Sequence, residues 1–114
     1  MKIRIDPLDT LFSRYVRLRD KCCQKCGNSG NLQTAHYKGR RMKSVRFDPS
    51  NALAFCFSCH QYFHENPDEF VAFMTKRLGE RELDLLNSRA RTPVRYLDKE
   101  AIRLWLEQQI RRLE

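Results

Sequence analysis

The chain has no long hydrophobic run, no internal repeat and no low-complexity segment. A membrane-spanning helix needs about 20 consecutive apolar residues, and no stretch approaches that length. The opening residues, Met1-Lys-Ile-Arg-Ile, contain no apolar core of the kind that a secretory signal requires. We therefore expect a cytoplasmic protein that does not bind a membrane.

An even cysteine count, the usual mark of a disulfide framework, is also missing. The sequence has 5 cysteines, and four of them form two Cys-x-x-Cys pairs: Cys23 with Cys26, and Cys56 with Cys59. Cys22 lies outside this spacing. Two such pairs predict a closed, four-thiolate structural zinc site in a reducing compartment.

Acidic residues are outnumbered by basic ones. The chain carries 22 Lys and Arg against 14 Asp and Glu, a formal net charge of +8. This balance favours a polyanionic partner, because cationic side chains neutralise phosphates and release counterions. A charged surface that serves only solubility is the alternative, and charge does not distinguish DNA from RNA.

The chain length limits the fold to one small domain. With 114 residues, the chain buries only about two thirds of its unfolded surface. A structural zinc contributes about 10–16 kcal/mol of apparent folding free energy in small peptides. The predicted zinc site is therefore expected to stabilise the fold.

The order of predicted elements indicates the α+β class, in a single domain that spans residues 1–114. A helix is expected over 7–19, a zinc-stapled core over 22–66 and a helical extension over 67–114. Within the core we expect strands at 32–37 and 52–55, a basic loop at 38–43, and a helix carrying His60 and His64 on one face. The helical extension is expected to pack on the core; a homodimer surface is the alternative.

Residues 23–64 resemble the HNH nucleases. The intervals from His36 to Asn51 and from Asn51 to His60 are similar to those in colicin-type members of that family. The segments LFSRYVRLR at 11–19, AH at 35–36 and RFDPSN at 46–51 are similar to phage recombination nucleases of the Rap type. The resemblance covers residues 11–66 and implies a small ββα-metal core.

The resemblance also implies an activity. It makes the chain a metal-dependent endonuclease that hydrolyses DNA phosphodiester bonds, by nicking or double-strand cleavage, with low sequence specificity. His36 would be the general base, Asn51 would hold the His36 ring by bonding to nearby backbone, and His60 with His64 would bind a catalytic divalent cation. Mg²⁺, Mn²⁺, Ni²⁺ and Co²⁺ are the candidate cations.

One departure from the family pattern concerns the residue before the base. Many HNH proteins have Asp or His there, completing the metal site, whereas this chain has Ala35. Asp48 and Glu65 are the nearest candidates by sequence for the missing ligand. His36 could instead be a ligand itself.

The predicted substrate contacts come from the basic run between the base and the asparagine, where cationic side chains would bind phosphates without reading sequence. These residues are Lys38, Arg40, Arg41, Lys43 and Arg46. Two other hypotheses stay open: a non-catalytic zinc module that only binds nucleic acid, and a structural zinc protein whose helices bind a protein partner.

Overall fold

The first helix begins at a proline that follows an aspartate cap. The computed structural model describes residues 5–114. Helix α1 spans Pro7–Asp20, one residue longer than expected. Asp6 Oδ1 accepts a hydrogen bond from the Leu8 N–H at 2.9 Å, which satisfies a backbone donor that a helix start otherwise leaves unpaired. The helix ends at Lys21, whose φ of 68° is left-handed.

A two-stranded antiparallel hairpin follows. Strand β1 spans Gln33–His36 and strand β2 spans Ala52–Phe55. Two short 3-10 helices, Lys43–Val45 and Pro49–Asn51, lie in the connection between the strands. The first strand is shorter than the expected 32–37 because the next bond, from the Tyr37 N–H, reaches the Asn51 carbonyl of a 3-10 turn rather than a strand.

Four helices complete the fold: α2 at Phe57–Glu65, α3 at Pro67–Leu78, α4 at Glu80–Arg91 and α5 at Lys99–Leu113. Gly79, with φ of +84°, separates α3 from α4. Helix α4 ends at Arg91, two residues before Pro93, which cannot continue a helix. No helix within 5–114 has both the length and the apolar character needed to cross a bilayer.

The hairpin lies between two helical layers. Leu53 and Phe55 on β2 pack with Phe63 of α2 and with Met74 and Leu86 of the following helices. On the opposite side, Ala52 joins a cluster built from α1 and α5. All four β2 residues are buried because both faces of the strand are covered. The fold is thus α+β, whereas the finer expectation of an HNH-type core is not shown by this arrangement.

Helix α5 packs on α1. Leu106 and Ile110 join Phe12 and Val16 in one buried cluster. At the edge of this cluster, Trp105 of α5 packs edge-on against a tyrosine ring of α1. The expectation that the tail packs on the core is therefore confirmed. The homodimer alternative stays a prediction, since the outer face of α5 is exposed.

Truncating Leu106 should destabilise the protein. The Leu106 side chain is fully buried, at 0 % exposure, whereas Leu104 on the same helix is 52 % exposed. We expect Leu106→Ala to lower the free energy of unfolding by about 2–5 kcal/mol. Leu104→Ala is the matched control and should change it by less than about 0.5 kcal/mol. Urea unfolding of both variants measures this. Equal effects would contradict the packing of α5 on α1.

Candidate metal centre and histidine cleft

The two Cys-x-x-Cys pairs come together in one cluster. The four sulfurs lie within 4.8 Å of one another, and Cys26 Sγ is 3.7 Å from Cys56 Sγ. Sulfurs bound to one tetrahedral zinc at about 2.3 Å are about 3.8 Å apart, so the cluster has suitable dimensions. Four cysteines are thus positioned to hold a metal ion. Cys22 lies outside the cluster and is partly buried.

Backbone turns around the cluster aim amide groups at the sulfurs. Gly27 adopts φ of +82°, which favours glycine, and its N–H bonds the Cys23 carbonyl at 2.9 Å. Burial raises the pKa of the Cys23 thiol, but backbone amide donors outweigh burial and the pKa falls to about 6. Burial and the neighbouring sulfurs raise the pKa of Cys59. A bound cation would offset the cost of ionising the remaining thiols.

Three histidines line a second site, separate from the cysteine cluster. His36 ends β1, while His60 and His64 lie one turn apart on α2. Together with Lys38 they line an open cleft of about 300 Å³, which we call the histidine cleft. The apolar side of this cleft is formed by Phe63, Phe70 and Val71. The structure therefore brings the predicted histidines to one surface.

The His36 ring is held on two sides. It packs against Phe12 with ring centroids 5.7 Å apart, and its Nε2 lies 3.1 Å from the Arg46 carbonyl oxygen. Because a carbonyl oxygen only accepts, Nε2 carries the proton, and Nδ1 keeps its lone pair when the ring is neutral. Burial lowers the pKa of His36, against the opposing effect of that carbonyl. The ring is therefore neutral at physiological pH.

His60 is oriented by Gln33, a residue that the sequence analysis missed. His60 Nδ1 lies 2.8 Å from Gln33 Oε1. This oxygen accepts the Nδ1 proton, which leaves the Nε2 lone pair of His60 free to bind a metal. Burial and the nearby His64 lower the pKa of His60, so the neutral, ligating form dominates at neutral pH. No motif identifies Gln33; its contact depends on how α2 crosses the hairpin.

Asn51 is fully buried and holds the basic loop. Its Oδ1 accepts from the Lys38 N–H at 2.7 Å, and its Nδ2 donates to the carbonyls of Lys38 at 2.9 Å and Val45 at 3.0 Å. These bonds fix the backbone on both sides of residues 39–44. Asn51 is thus a positioning residue, because its amide is entirely occupied by loop backbone.

Ala35, the residue before His36, points to the opposite face of the hairpin from His36. Ala35 is 1 % exposed and packs in the core, since neighbouring strand residues point to opposite faces. Neither candidate for the missing ligand lines the histidine cleft. Asp48 pairs with Arg89 at 2.8 Å, and Glu65 accepts a hydrogen bond from Gln61 at 3.1 Å. Among residues 5–114, the structure therefore gives the cleft no carboxylate ligand.

The predicted substrate-binding residues divide into two groups. Arg46 is half-buried, and its Nε donates to Asp9 Oδ1 at 3.0 Å, while Arg40 lies 3.8 Å from the same carboxylate. Arg41 and Lys43 are exposed. Arg46 thus links the end of the basic loop to α1 through an ion pair. The substrate role of all five basic residues stays a prediction.

The described geometry defines a small α+β protein with four cysteines positioned to hold a metal ion. The family model described as Bacteriophage Lambda NinG protein matches residues 2–114. Because this match covers nearly the whole sequence, the chain belongs to the NinG family of phage proteins. No curated protein and no solved structure matches the chain.

The match corrects the assignment to the HNH nucleases, which was wrong. The resemblance rested on residues 11–66 and on short motifs: the cysteine pairs and the intervals between His36, Asn51 and His60. The NinG match also includes the helical extension over 67–114, which that resemblance left out. A four-cysteine site and a few polar residues at fixed intervals do not define a family.

Removing one cysteine ligand should release the metal. We expect the purified protein to contain one zinc per chain, and Cys59→Ser to lose that zinc and unfold at a lower temperature, because metal binding is coupled to folding. Cys22→Ser, outside the cluster, is the matched control. It should keep its zinc and unfold at the wild-type temperature. Elemental analysis and thermal unfolding measure the two effects. Full zinc content in Cys59→Ser would contradict the assignment.

Proposed function

We propose that the protein is a metal-dependent endonuclease that hydrolyses phosphodiester bonds in DNA with little sequence preference. The observation that carries the proposal is the histidine cleft, in which His36, His60 and His64 line one open surface beside Lys38. The cysteine cluster uses none of these residues.

His36 would serve as the general base. Its Nε2 proton is engaged by the Arg46 carbonyl, so Nδ1 is the atom able to take a proton from an attacking water. The lowered pKa keeps that atom unprotonated at neutral pH. The packing of the ring on Phe12 supports this role, because it limits ring rotation.

His60 and His64 would hold the divalent cation. The bond from His60 Nδ1 to Gln33 leaves Nε2 available, and the α2 spacing puts His64 on the same helix face. A cation bound there would neutralise charge on the phosphate oxygens. Two imidazoles suit Mn²⁺, Ni²⁺ or Co²⁺ better than Mg²⁺, which prefers oxygen ligands, so water and substrate phosphate would complete the coordination.

The cysteine cluster would hold zinc for structure. Its ligands are all thiolates and its dimensions match tetrahedral zinc, a combination typical of closed structural sites. Free thiols of this kind persist in a reducing compartment, which supports a cytoplasmic location with access to DNA.

A second candidate function is binding of nucleic acid without cleavage. The net charge of +8 and the exposed Arg41 and Lys43 favour it, because they provide phosphate contacts without any catalytic group. The absence of a carboxylate ligand in the part of the cleft that the structure describes also favours it. Cleavage assays distinguish the two functions.

Cleavage should depend on His36 and on an added divalent cation. With supercoiled plasmid we expect conversion to open circles with Mn²⁺, Ni²⁺ or Co²⁺, slower conversion with Mg²⁺, and none when cations are omitted. His36→Ala should lower the rate at least about 100-fold, the usual contribution of a general base. Agarose gel electrophoresis over a time course measures the conversion.

The matched control for this assay is Cys22→Ser, because Cys22 belongs neither to the histidine cleft nor to the cysteine cluster. It should cleave at the wild-type rate. If the plasmid stays supercoiled with every cation but is retarded on a gel, the protein binds DNA without cutting it. That outcome would overturn the catalytic proposal.

The pH dependence of cleavage should reflect His36. The base acts only when neutral, so the rate should rise with pH while the imidazole loses its proton and then stay constant. Because the pKa of His36 is lowered, the midpoint should fall below the reference value of about 6.5. Initial rates at saturating Mn²⁺ measure the profile. A rate that still rises between pH 7.5 and 9 would contradict His36 as the base.

A further inference from the structure

A third surface feature is a cleft between the basic loop and the end of α4. It measures about 350 Å³; one wall comes from Arg41, Met42, Lys43 and Ser44, and the other from the chain between Ala90 and Val94. We call it the α4 cleft. The cations Arg41, Lys43 and Arg91 line it from both walls.

The two walls are fixed relative to each other. Ser44 Oγ donates to the Arg89 carbonyl at 2.7 Å, and Arg89 Nε donates to Asp48 Oδ2 at 2.8 Å. Beneath these bonds, Val45 packs in the same buried cluster as Leu86 of α4. The α4 cleft is therefore a formed feature rather than a gap between independent segments.

The cations of the α4 cleft have no acidic counterpart. Among the described residues, Arg41, Lys43 and Arg91 form no ion pair, and no carboxylate lines the cleft. Arg41 and Lys43 also line a neighbouring cleft on α1, which contains Asp6 and Asp9, but those carboxylates pair with other cations. Like charges that face one another repel unless an anion lies between them.

We propose that the α4 cleft binds the sugar–phosphate backbone of DNA and extends the substrate surface from the histidine cleft into the helical extension. The inference rests on the proposed function, because it takes DNA as the substrate. The proposal adds Arg91 to the predicted DNA contacts. This residue lies more than 40 positions beyond the basic loop in the sequence. The class of ligand follows from the chemistry: open, cationic walls without acids suit phosphates in a chain.

The basic loop connects the two clefts. Lys38 lines the histidine cleft, and Arg41 with Lys43, further along the same loop, line the α4 cleft. Asn51 bonds the backbone on both sides of this loop. A DNA strand that follows the loop would thus contact Lys38 beside the histidines and then Arg41 and Lys43 opposite Arg91.

Arg91 has one other role that must be separated from binding. It lies in the last turn of α4, where a cation stabilises the partial negative charge of the helix end. That role would affect stability and not DNA affinity. Thermal unfolding of each variant, measured beside its affinity, separates the two.

The test compares cations at the two ends of α4. Binding of a fluorescein-labelled 30-base-pair duplex is measured by anisotropy across a salt series, with no divalent cation or chelator added, for Arg91→Ala, Lys43→Ala and Arg81→Ala. Arg81 is exposed near the start of α4, about 15 Å along the helix axis from Arg91, and its substitution removes the same charge. Arg91→Lys tests whether charge alone restores binding.

We expect Arg91→Ala and Lys43→Ala each to weaken binding about three- to tenfold and to reduce the slope of log affinity against log salt by about one. The DNA affinity of Arg81→Ala should stay within about twofold of the wild-type affinity. The affinity of Arg91→Lys should be close to the wild-type value. If Arg91→Ala and Arg81→Ala weaken binding equally, net charge alone is responsible and the α4 cleft is not a DNA contact.

Plasmid cleavage by the same proteins distinguishes this inference from the proposed function. If cleavage depends on His36 but Arg91→Ala binds like Arg81→Ala, only the role of the α4 cleft is overturned. If Arg91→Ala and Lys43→Ala bind selectively worse but no cation supports cleavage, the catalytic proposal is overturned and the α4 cleft stands. Wild-type protein that binds no DNA overturns both.

Discussion

The convergence of four cysteine side chains is the constraint on which the rest of the fold depends. It ties the turn after α1 to the junction between β2 and α2, and thereby fixes how α2 crosses the hairpin. Cys23, Cys56 and Cys59 are themselves part of the buried cluster beneath the sheet, so the cysteine cluster is continuous with the core. A domain of this size gains a large share of its stability from such a site. The position of His60 beside Gln33 follows from it.

Internal hydrogen bonds and ion pairs determine which charged groups remain available to a ligand. Asn51 uses its whole amide to hold the basic loop, while Asp9 engages Arg46 and Asp48 engages Arg89. These contacts fix the backbone of the basic loop and of the residues that follow it. Within residues 5–114, a frame built from paired charges is thus combined with cations of the α4 cleft that form no ion pair.

Much of the fold could be predicted from local patterns, because those patterns report local physics. Helix α1, strand β2 and the four-cysteine cluster follow from hydrophobic periodicity, a short apolar run and ligand spacing. The contact between Gln33 and His60 could not be predicted, since it joins two elements through their packing. The same holds for the pairing of Arg46 with Asp9. The HNH assignment failed for a related reason: motif intervals describe a site, whereas family membership depends on the whole chain.

The central claim is that the protein has two metal sites with different ligands, and anomalous X-ray diffraction tests it most directly. In crystals of the zinc-containing protein soaked with Mn²⁺, a zinc peak is expected among the four cysteines and a manganese peak in the histidine cleft, bonded to His60 Nε2. Loss of the second peak in His60→Ala, with the zinc peak unchanged, would agree with this. Manganese absent from the histidine cleft, or bound there unchanged without His60, would contradict the claim.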